Sequence, residues 1–590
     1  MKIICVAIAT LLIAAVSACS SSSTTIDAGL PDAGPADTGV ADAGCTAAQD
    51  LCDSASDRIL LKCVDGSMTK VDCMATQGML CWESICVEPA KYGAPSWGKC
   101  TDIVGATSET LSEKAAFYDR IMPEVHLNPI SHITHYVVLK DGHDIKTATS
   151  GEDVEFWLQG ENDGLWSGHY LASQAFRYAV TKSPEALANI KALIKGHKDL
   201  MGVTGKPGNY ARQFVPAGEP KMKCPDNTAS YNYTLGVQSK SWAKIDTDGC
   251  LVVFDVEKKD WSKLDYCVDK KYAGYCFEGD VSQDSYIGSI YALGIVHRLV
   301  DDPDVQAEAA KMLDDSIMGF IQSGMQLVDW TGMVTTFGKI YPTSFQDFPG
   351  FSAIMALSYV KTAQSASSDV FFKNFYEMCL TKKKKATKDV DCSLTHVDES
   401  YVSFVPDHGL YKTIDGCGNN YNNFNMTFMG LHTLLWFETD ADTRDTIALE
   451  MENTMMHEEG KGRPMNVQKN SYFNFIYGAT KKLGKGSTGP AYNEVEDAVC
   501  SLRTFPTSKA YYTRIENSKK YPFDCSNRLG APDAAIPIPT NERSLWVFTW
   551  SADPYIINDF GPQTKGIEIG ADYLLPYWMG RYYGFISEEM

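Results

Sequence analysis

Beyond its first twenty residues the chain has no unbroken apolar run of transmembrane length, so no later segment reads as a membrane-spanning helix. Positive charge is scarce. Lys and Arg number 53 against 74 Asp and Glu, a formal net charge of −21. A surface that acidic repels phosphate backbones and anionic lipid, which argues against nucleic acid as a partner. His-Glu-x-x-His, Gly-x-Ser-x-Gly, P-loop and dinucleotide glycine patterns are all missing. No cofactor and no metal is therefore expected. What is plentiful is apolar and aromatic surface, 44% and 11% of 590 residues, enough for a sizeable core and too much for global disorder. The 18 cysteines ask for an oxidising compartment or a metal.

The N-terminus suggests the compartment. Lys2 is a short positive start, and Ile3 to Val16 is an apolar run interrupted only by Thr10. That is the length of a signal-peptide core. Val16-Ser17-Ala18-Cys19 resembles a bacterial lipobox, which implies a signal peptide over 1–18 and a lipidated Cys19 as the first mature residue. Ser20 follows where aspartate would imply inner-membrane retention, so the resemblance implies an outer-membrane lipoprotein of the cell envelope. An ordinary cleaved signal with a chance cysteine is the alternative.

Residues 19–44 hold the anchor and a Ser, Thr, Asp, Ala, Gly and Pro tether without Lys, Arg or aromatics. Such a stretch buries too little to offset chain entropy and reads as a disordered spacer. Residues 45–100 carry seven cysteines, Cys45, Cys52, Cys63, Cys73, Cys81, Cys86 and Cys100. With no Cys-x-x-Cys and no His, the module reads as disulfide-stapled, with Cys100 left to pair with the body. The body, 101–590, adds nine more cysteines. Cys267 and Cys276, and Cys379 and Cys392, lie close enough in sequence to staple loops locally.

The body repeats a helical hairpin. Leu165, His169, Ala172, Phe176 and Ala179 share a stripe, then Ser183-Pro184 restarts the chain as N-cap and first helical residue, and Leu187, Ile190, Ile194, His197 and Met201 follow. Tyr286 to His297 with a restart at Asp302-Pro303 repeats the pattern, as does Phe424 to Leu435 with a restart near Asp440. Further helices are expected near 110–122, 350–362, 368–380, 471–482 and 492–504, with long non-helical insertions at 205–280 and 505–575. The first helix of each pair is apolar over much of its circumference and the second is amphipathic, which describes inner and outer layers. The expected fold is mainly α, an (α/α)6 toroid-like array of hairpins with loop and β insertions. This order of segments resembles the six-hairpin toroid shared by many glycoside hydrolases and polysaccharide lyases. A linear helical solenoid is the structural alternative.

Equivalent points before each restart hold polar clusters. Asp163 lies twenty-one residues before Pro184, Ser282 before Pro303 and Tyr421 before Asp442. In a toroid these helix starts share one rim. N-capping accounts for one side chain per cluster, but each cluster has several. Glycoside hydrolysis, the activity the resemblance implies, needs one protonated carboxyl and one ionised. Asp163 and Asp280 are the expected pair, with Asp284 in reserve and Glu161 in the same set. His169 faces the same end. Trp166, Tyr286 and Tyr421 are candidate stacking platforms, Asn423 and Asn425 candidate polar contacts, and Arg581, among C-terminal aromatics, a candidate sugar or carboxylate ligand. In a lyase, His169 or Tyr421 would abstract the proton and Asn423 or Asn425 would neutralise the uronate carboxyl group. A non-catalytic glycan-binding or scaffold lipoprotein is the third reading. His126, His132, His135 and His143 with Glu124 form a weaker constellation, because Tyr136 to Leu139 reads as a strand that would splay the side chains.

Overall fold

The computed structural model describes residues 51–52, 59–64, 67–72, 80–82, 85–87 and 109–590, the last span apart from 134–135, 159, 239, 345–346, 383–389, 482–489, 507–514, 544–547, 561–564, 568–569 and 589. The lipobox, the tether, His135 and Cys100 lie outside the described residues, as does the cysteine pairing expected of the N-terminal module. Within that module β1 (Leu51–Cys52), β2 (Ile59–Val64) and β3 (Ser67–Asp72) form an antiparallel sheet, and β4 (Leu80–Trp82) pairs with β5 (Ile85–Val87).

The body is mainly helical. Its α-helices in chain order are α1 (Leu111–Ile121), α2 (Asp163–Thr181), α3 (Pro184–Gly202), α4 (Gln283–Leu299), α5 (Pro303–Gln322) and α6 (Pro349–Ala366). They continue with α7 (Val370–Phe375), α8 (Tyr421–Phe437), α9 (Ala441–Glu450), α10 (Ser471–Lys481), α11 (Pro490–Thr504) and α12 (Ala571–Tyr582). The even-numbered helices touch in turn: α2 with α4, α4 with α6, α6 with α8, α8 with α10, α10 with α12, and α12 with α2. Each odd-numbered helix packs on an even one, α1 on α12, α3 on α2, α5 on α4, α7 on α6, α9 on α8 and α11 on α10.

The hairpin restarts work as capping chemistry dictates. Ser183 Oγ accepts from the Ala186 N–H (3.2 Å), Asp302 Oδ1 from Val305 (3.1 Å) and Asp440 Oδ1 from Thr443 (2.9 Å). Proline occupies the first helical position of α3 and α5, where it loses no intrahelical bond. The outer helices α3 and α5 bury one stripe, whereas α4 buries every residue from Ser285 to Val296. At the α2–α4 contact the side chains shrink to glycine. A Cβ on Gly168 would lie 2.3 Å from the Gly288 carbonyl oxygen, so only glycine permits this approach.

The strands sit in the connections. Tyr136 to Leu139 forms the expected strand, β6, which pairs with β7 (Val154–Leu158). Between α3 and α4 lie β8 (Gln213–Val215), β9 (Asn232–Tyr233), β10 (Trp242–Ile245), β11 (Cys250–Asp255), β12 (Asp260–Cys267) and β13 (Cys276–Glu278). They make one sheet in the order β12-β11-β10-β13-β8, with β9 on β11. A hairpin of β14 (Gln326–Val328) and β15 (Val334–Lys339) follows α5. Late in the chain β16 (Ile515–Glu516), β17 (Phe523–Ser526), β18 (Pro532–Ala534), β19 (Asp559–Phe560) and β20 (Gly566–Ile567) pair as β16–β19, β17–β18 and β20–β6.

Four disulfides are described: Cys224–Cys276, Cys250–Cys267, Cys379–Cys392 and Cys417–Cys525; Cys500 is also disulfide-bonded. The Cys379–Cys392 staple matches expectation. Cys267 and Cys276 do not pair with each other. Cys267 faces Cys250 across the β11–β12 register, and Cys276 opens β13 on the other side of β10.

Candidate functional site

The three polar clusters open α2, α4 and α8, and they meet. Ser282 donates to Asn162 Oδ1 (2.9 Å), which ties the α4 start to the α2 start. Asn422 donates to Asp284 and ties α8 to α4. Asn425 and His169 Nε2 lie 3.5 Å apart and tie α8 to α2. Capping explains little of this. Asn162 and Ser282 make no side-chain cap, and only Asn420 does so, accepting from the Asn422 N–H at 3.2 Å.

Not every expected residue faces an open site. Asp163 is wholly buried; one oxygen accepts from the Gly160 N–H (3.0 Å) and the other has no partner. Burial pushes its carboxyl well above the usual carboxylate range, and Glu278 nearby adds to the push. Asp280 is also buried, and its carboxylate accepts from the Thr336 N–H (2.6 Å), Thr336 Oγ1 (2.7 Å) and Gln238 (2.9 Å). Its own N–H donates to Asp329 Oδ2 (2.9 Å), and its carbonyl accepts from Arg212 Nε (2.5 Å). The pair Asp163 and Asp280 is thus held inside the protein. Glu161, about half exposed, and Asp284, partly exposed, reach solvent.

Cations and amides from the insertions complete the cluster. Arg212, just before β8, lies 3.5 Å from Glu161. Lys240 pairs with Glu161 and stands 3.8 Å from Glu278. Gln213 donates to Glu278 across the β8–β13 register. Burial raises the Glu278 carboxyl above its usual range, against the pull of Gln213, Lys240 and Arg212. Arg212, Lys240, Gln238 and Asp329 escape a sequence reading because they arrive on loops without periodicity. A cationic residue beside a short strand was the only available signal.

The aromatic candidates belong to the interior. Trp166 and Tyr286 are buried, and the Tyr286 hydroxyl donates to the Gly208 carbonyl (2.5 Å). His169 is fully buried, stacked on Phe548 at 3.9 Å with Trp166 at 5.9 Å; burial lowers its pKa to about 3. The Tyr421 hydroxyl is buried without a hydrogen-bond partner, and burial, then Asp553, pushes its pKa well above the usual value. Asn425 is buried and Asn423 partly exposed. Arg581 lies near the C-terminal end of α12, away from these helix starts. Of the histidine constellation, His132 is buried against His197 and Phe214. Among the described residues, one trio has metal-ligand proximity, Cys417, Asp524 and Cys525, and its two sulfurs are joined as a disulfide.

No protein-family profile and no curated protein matches the chain. Solved structures similar to it include a GH76A alpha-1,6-mannanase from Salegentibacter (10% identity, 80% of this chain and 99% of that one, TM-score 0.33). Others are a GH76 alpha-mannanase from Bacteroides thetaiotaomicron (8%, 82% and 98%, TM-score 0.31) and a Bacteroides ovatus GH9 protein (8%, 80% and 83%, TM-score 0.32). Overlap this loose sets neither the fold nor the function of the chain.

Proposed function

We propose that the body is an (α/α)6 toroid and a glycan-active enzyme, a glycoside hydrolase whose carboxyl groups act at the end where α2, α4 and α8 begin. The observation that carries this reading is the cross-linking of three helix starts through Ser282–Asn162, Asn422–Asp284 and Asn425–His169. It gathers acidic side chains on one end of the helical body. Asp284 and Glu161, the two that reach solvent, are the carboxyl pair; Asp163 and Asp280 hold the framework. Hydrolysis then needs one of the pair to protonate the leaving oxygen and the other to act as base or nucleophile. A lyase is disfavoured, because His169 and Tyr421, the proton-abstracting candidates, are buried. One observation favours a non-catalytic scaffold: Phe548, His169 and Trp166 stack into a filled interior at this end.

The test is a glycan panel read for new reducing ends and for unsaturated-uronate absorbance. Reducing ends without absorbance are expected, with Asp284→Asn lowering turnover by about 100-fold or more. Failure to cleave any glycan would leave the scaffold reading, and unchanged turnover in both Asp284→Asn and Glu161→Gln would overturn the assignment of the carboxyl pair. The proposed setting is the cell envelope, with lipidated Cys19 in the outer membrane and the tether spacing the body from it. A Cys19→Ala chain should leave the membrane fraction; if it stays there, the anchor is something else.

A further inference from the structure

The far end of α2 borders a cavity of about 880 Å³. Arg177, on its lining, lies fourteen residues beyond Asp163, about 21 Å along a helix at 1.5 Å per residue. The cavity is therefore separate from the carboxyl cluster. Its volume falls in the range of small-molecule sites. Exposed Ala116 of α1 and Ala188 of α3 line it and leave it open, while Tyr577, Trp578 and Arg581 of α12 supply an aromatic and cationic wall.

The three arginines there differ. Arg177 pairs with Asp119 at 3.4 Å, and Arg120 with Glu124 at 3.2 Å. Arg581 has no ion pair among the described residues, although it is only 5% exposed. One terminal nitrogen donates to the Tyr577 hydroxyl (3.0 Å), and the guanidinium lies 5.9 Å from the Tyr577 ring and 5.8 Å from the Trp578 ring. Its Nε is buried with no partner. Asp119, Glu124, Glu185 and Glu588 share the lining, but none forms an ion pair with Arg581, and the ring faces offset only part of the cost of its buried charge. A guanidinium is planar, and its terminal N–H groups match the oxygens of a carboxylate.

We propose that this cavity is a second binding site, for a small-molecule carboxylate, held by the terminal nitrogens of Arg581 against the Tyr577 and Trp578 wall. The site needs neither turnover nor the carboxyl cluster at the other end. Titration calorimetry on the full chain tests it, with sodium glucuronate and sodium benzoate as probes and glucose as the neutral control. At least one carboxylate should bind saturably while glucose does not, and which one binds separates a sugar acid from a flat aromatic acid. Arg581→Gln should weaken binding at least about tenfold, the loss of a charge-assisted contact. If that variant fails to fold, Ala188→Trp, which fills the cavity from an exposed helix position, should weaken binding as much with unchanged thermal unfolding. Asp284→Asn should bind like the wild type, which separates this site from the proposed catalytic one. Equal binding of glucose, wild-type affinity in a folded Arg581→Gln or in Ala188→Trp, or no binding of either carboxylate at millimolar concentration overturns the proposal.

Discussion

Asp280 sits in the left-handed region with φ 56°, a conformation a non-glycine residue adopts only when its surroundings impose it. Its carboxylate, N–H and carbonyl are all engaged, by Thr336, Gln238, Asp329 and Arg212. Those bonds hold the turn, and the turn leads into α4, whose second residue is Asp284. His432 shows another residue fixed by its surroundings. It lies between the Tyr291 hydroxyl (2.9 Å) and the Tyr583 hydroxyl (2.8 Å), and burial lowers its pKa to about 3. The native state keeps this ring neutral, whereas the unfolded chain protonates it below its ordinary value of 6.5. Its contribution to stability is thus complete above that pH and falls as pH drops toward about 3. The stability advantage of the wild type over His432→Gln should shrink by about 1.4 kcal/mol per pH unit through this window. Urea unfolding at several pH values checks it, and a pH-independent gap would refute it.

At the scale of elements, α2 and α4 lie so close that Gly168 faces the backbone of Gly288, and Gly288 that of Leu165 and Gly164. Gly168→Ala should destabilise the fold by about 1–3 kcal/mol, the usual cost of overpacking, despite alanine's better helix propensity. Thermal unfolding measures it, and a neutral or stabilising result would mean that the two helices can move apart. The hairpins were legible in the sequence because capping and periodicity are local: Ser183-Pro184 and Asp302-Pro303 mark restarts within a residue of those observed. The helix α12 was not legible. Pro576 inside it and Gly580 near its end are breakers in isolation. The convergence of polar clusters was visible as a spacing, but which carboxyls reach solvent depends on β8, β13 and the β14–β15 hairpin, whose contacts have no period. Arg581 stands out in the sequence for its chemistry, but its place at the far end of α12 depends on a helix the sequence does not show.

Across the whole molecule, long-range covalent links act where helix packing does not. The Cys417–Cys525 bridge closes 108 residues and joins the loop before α8 to β17. Nearby, Arg463 reaches both Asp524 (3.1 Å) and buried Asp533 (2.6 Å), so the late strands are fixed by charge as well. Replacing both cysteines with serine should cost about 2–5 kcal/mol, mainly by freeing the unfolded chain. Denaturant unfolding of the double variant measures that loss, and an unchanged midpoint would show that the ion pairs suffice.

The contact of α12 with both α2 and α10 has a consequence for how the protein is made. The seat that α12 fills stays open until residues 571–582 have been synthesised, although α2 is complete nearly 400 residues earlier. During that interval the apolar flanks of α2 and α10 have no permanent neighbour, which is the state that invites aggregation. A chain cut short before Ala571 would keep that state for good, so cellular quality control has a clear signal to read: whether the last helix has arrived.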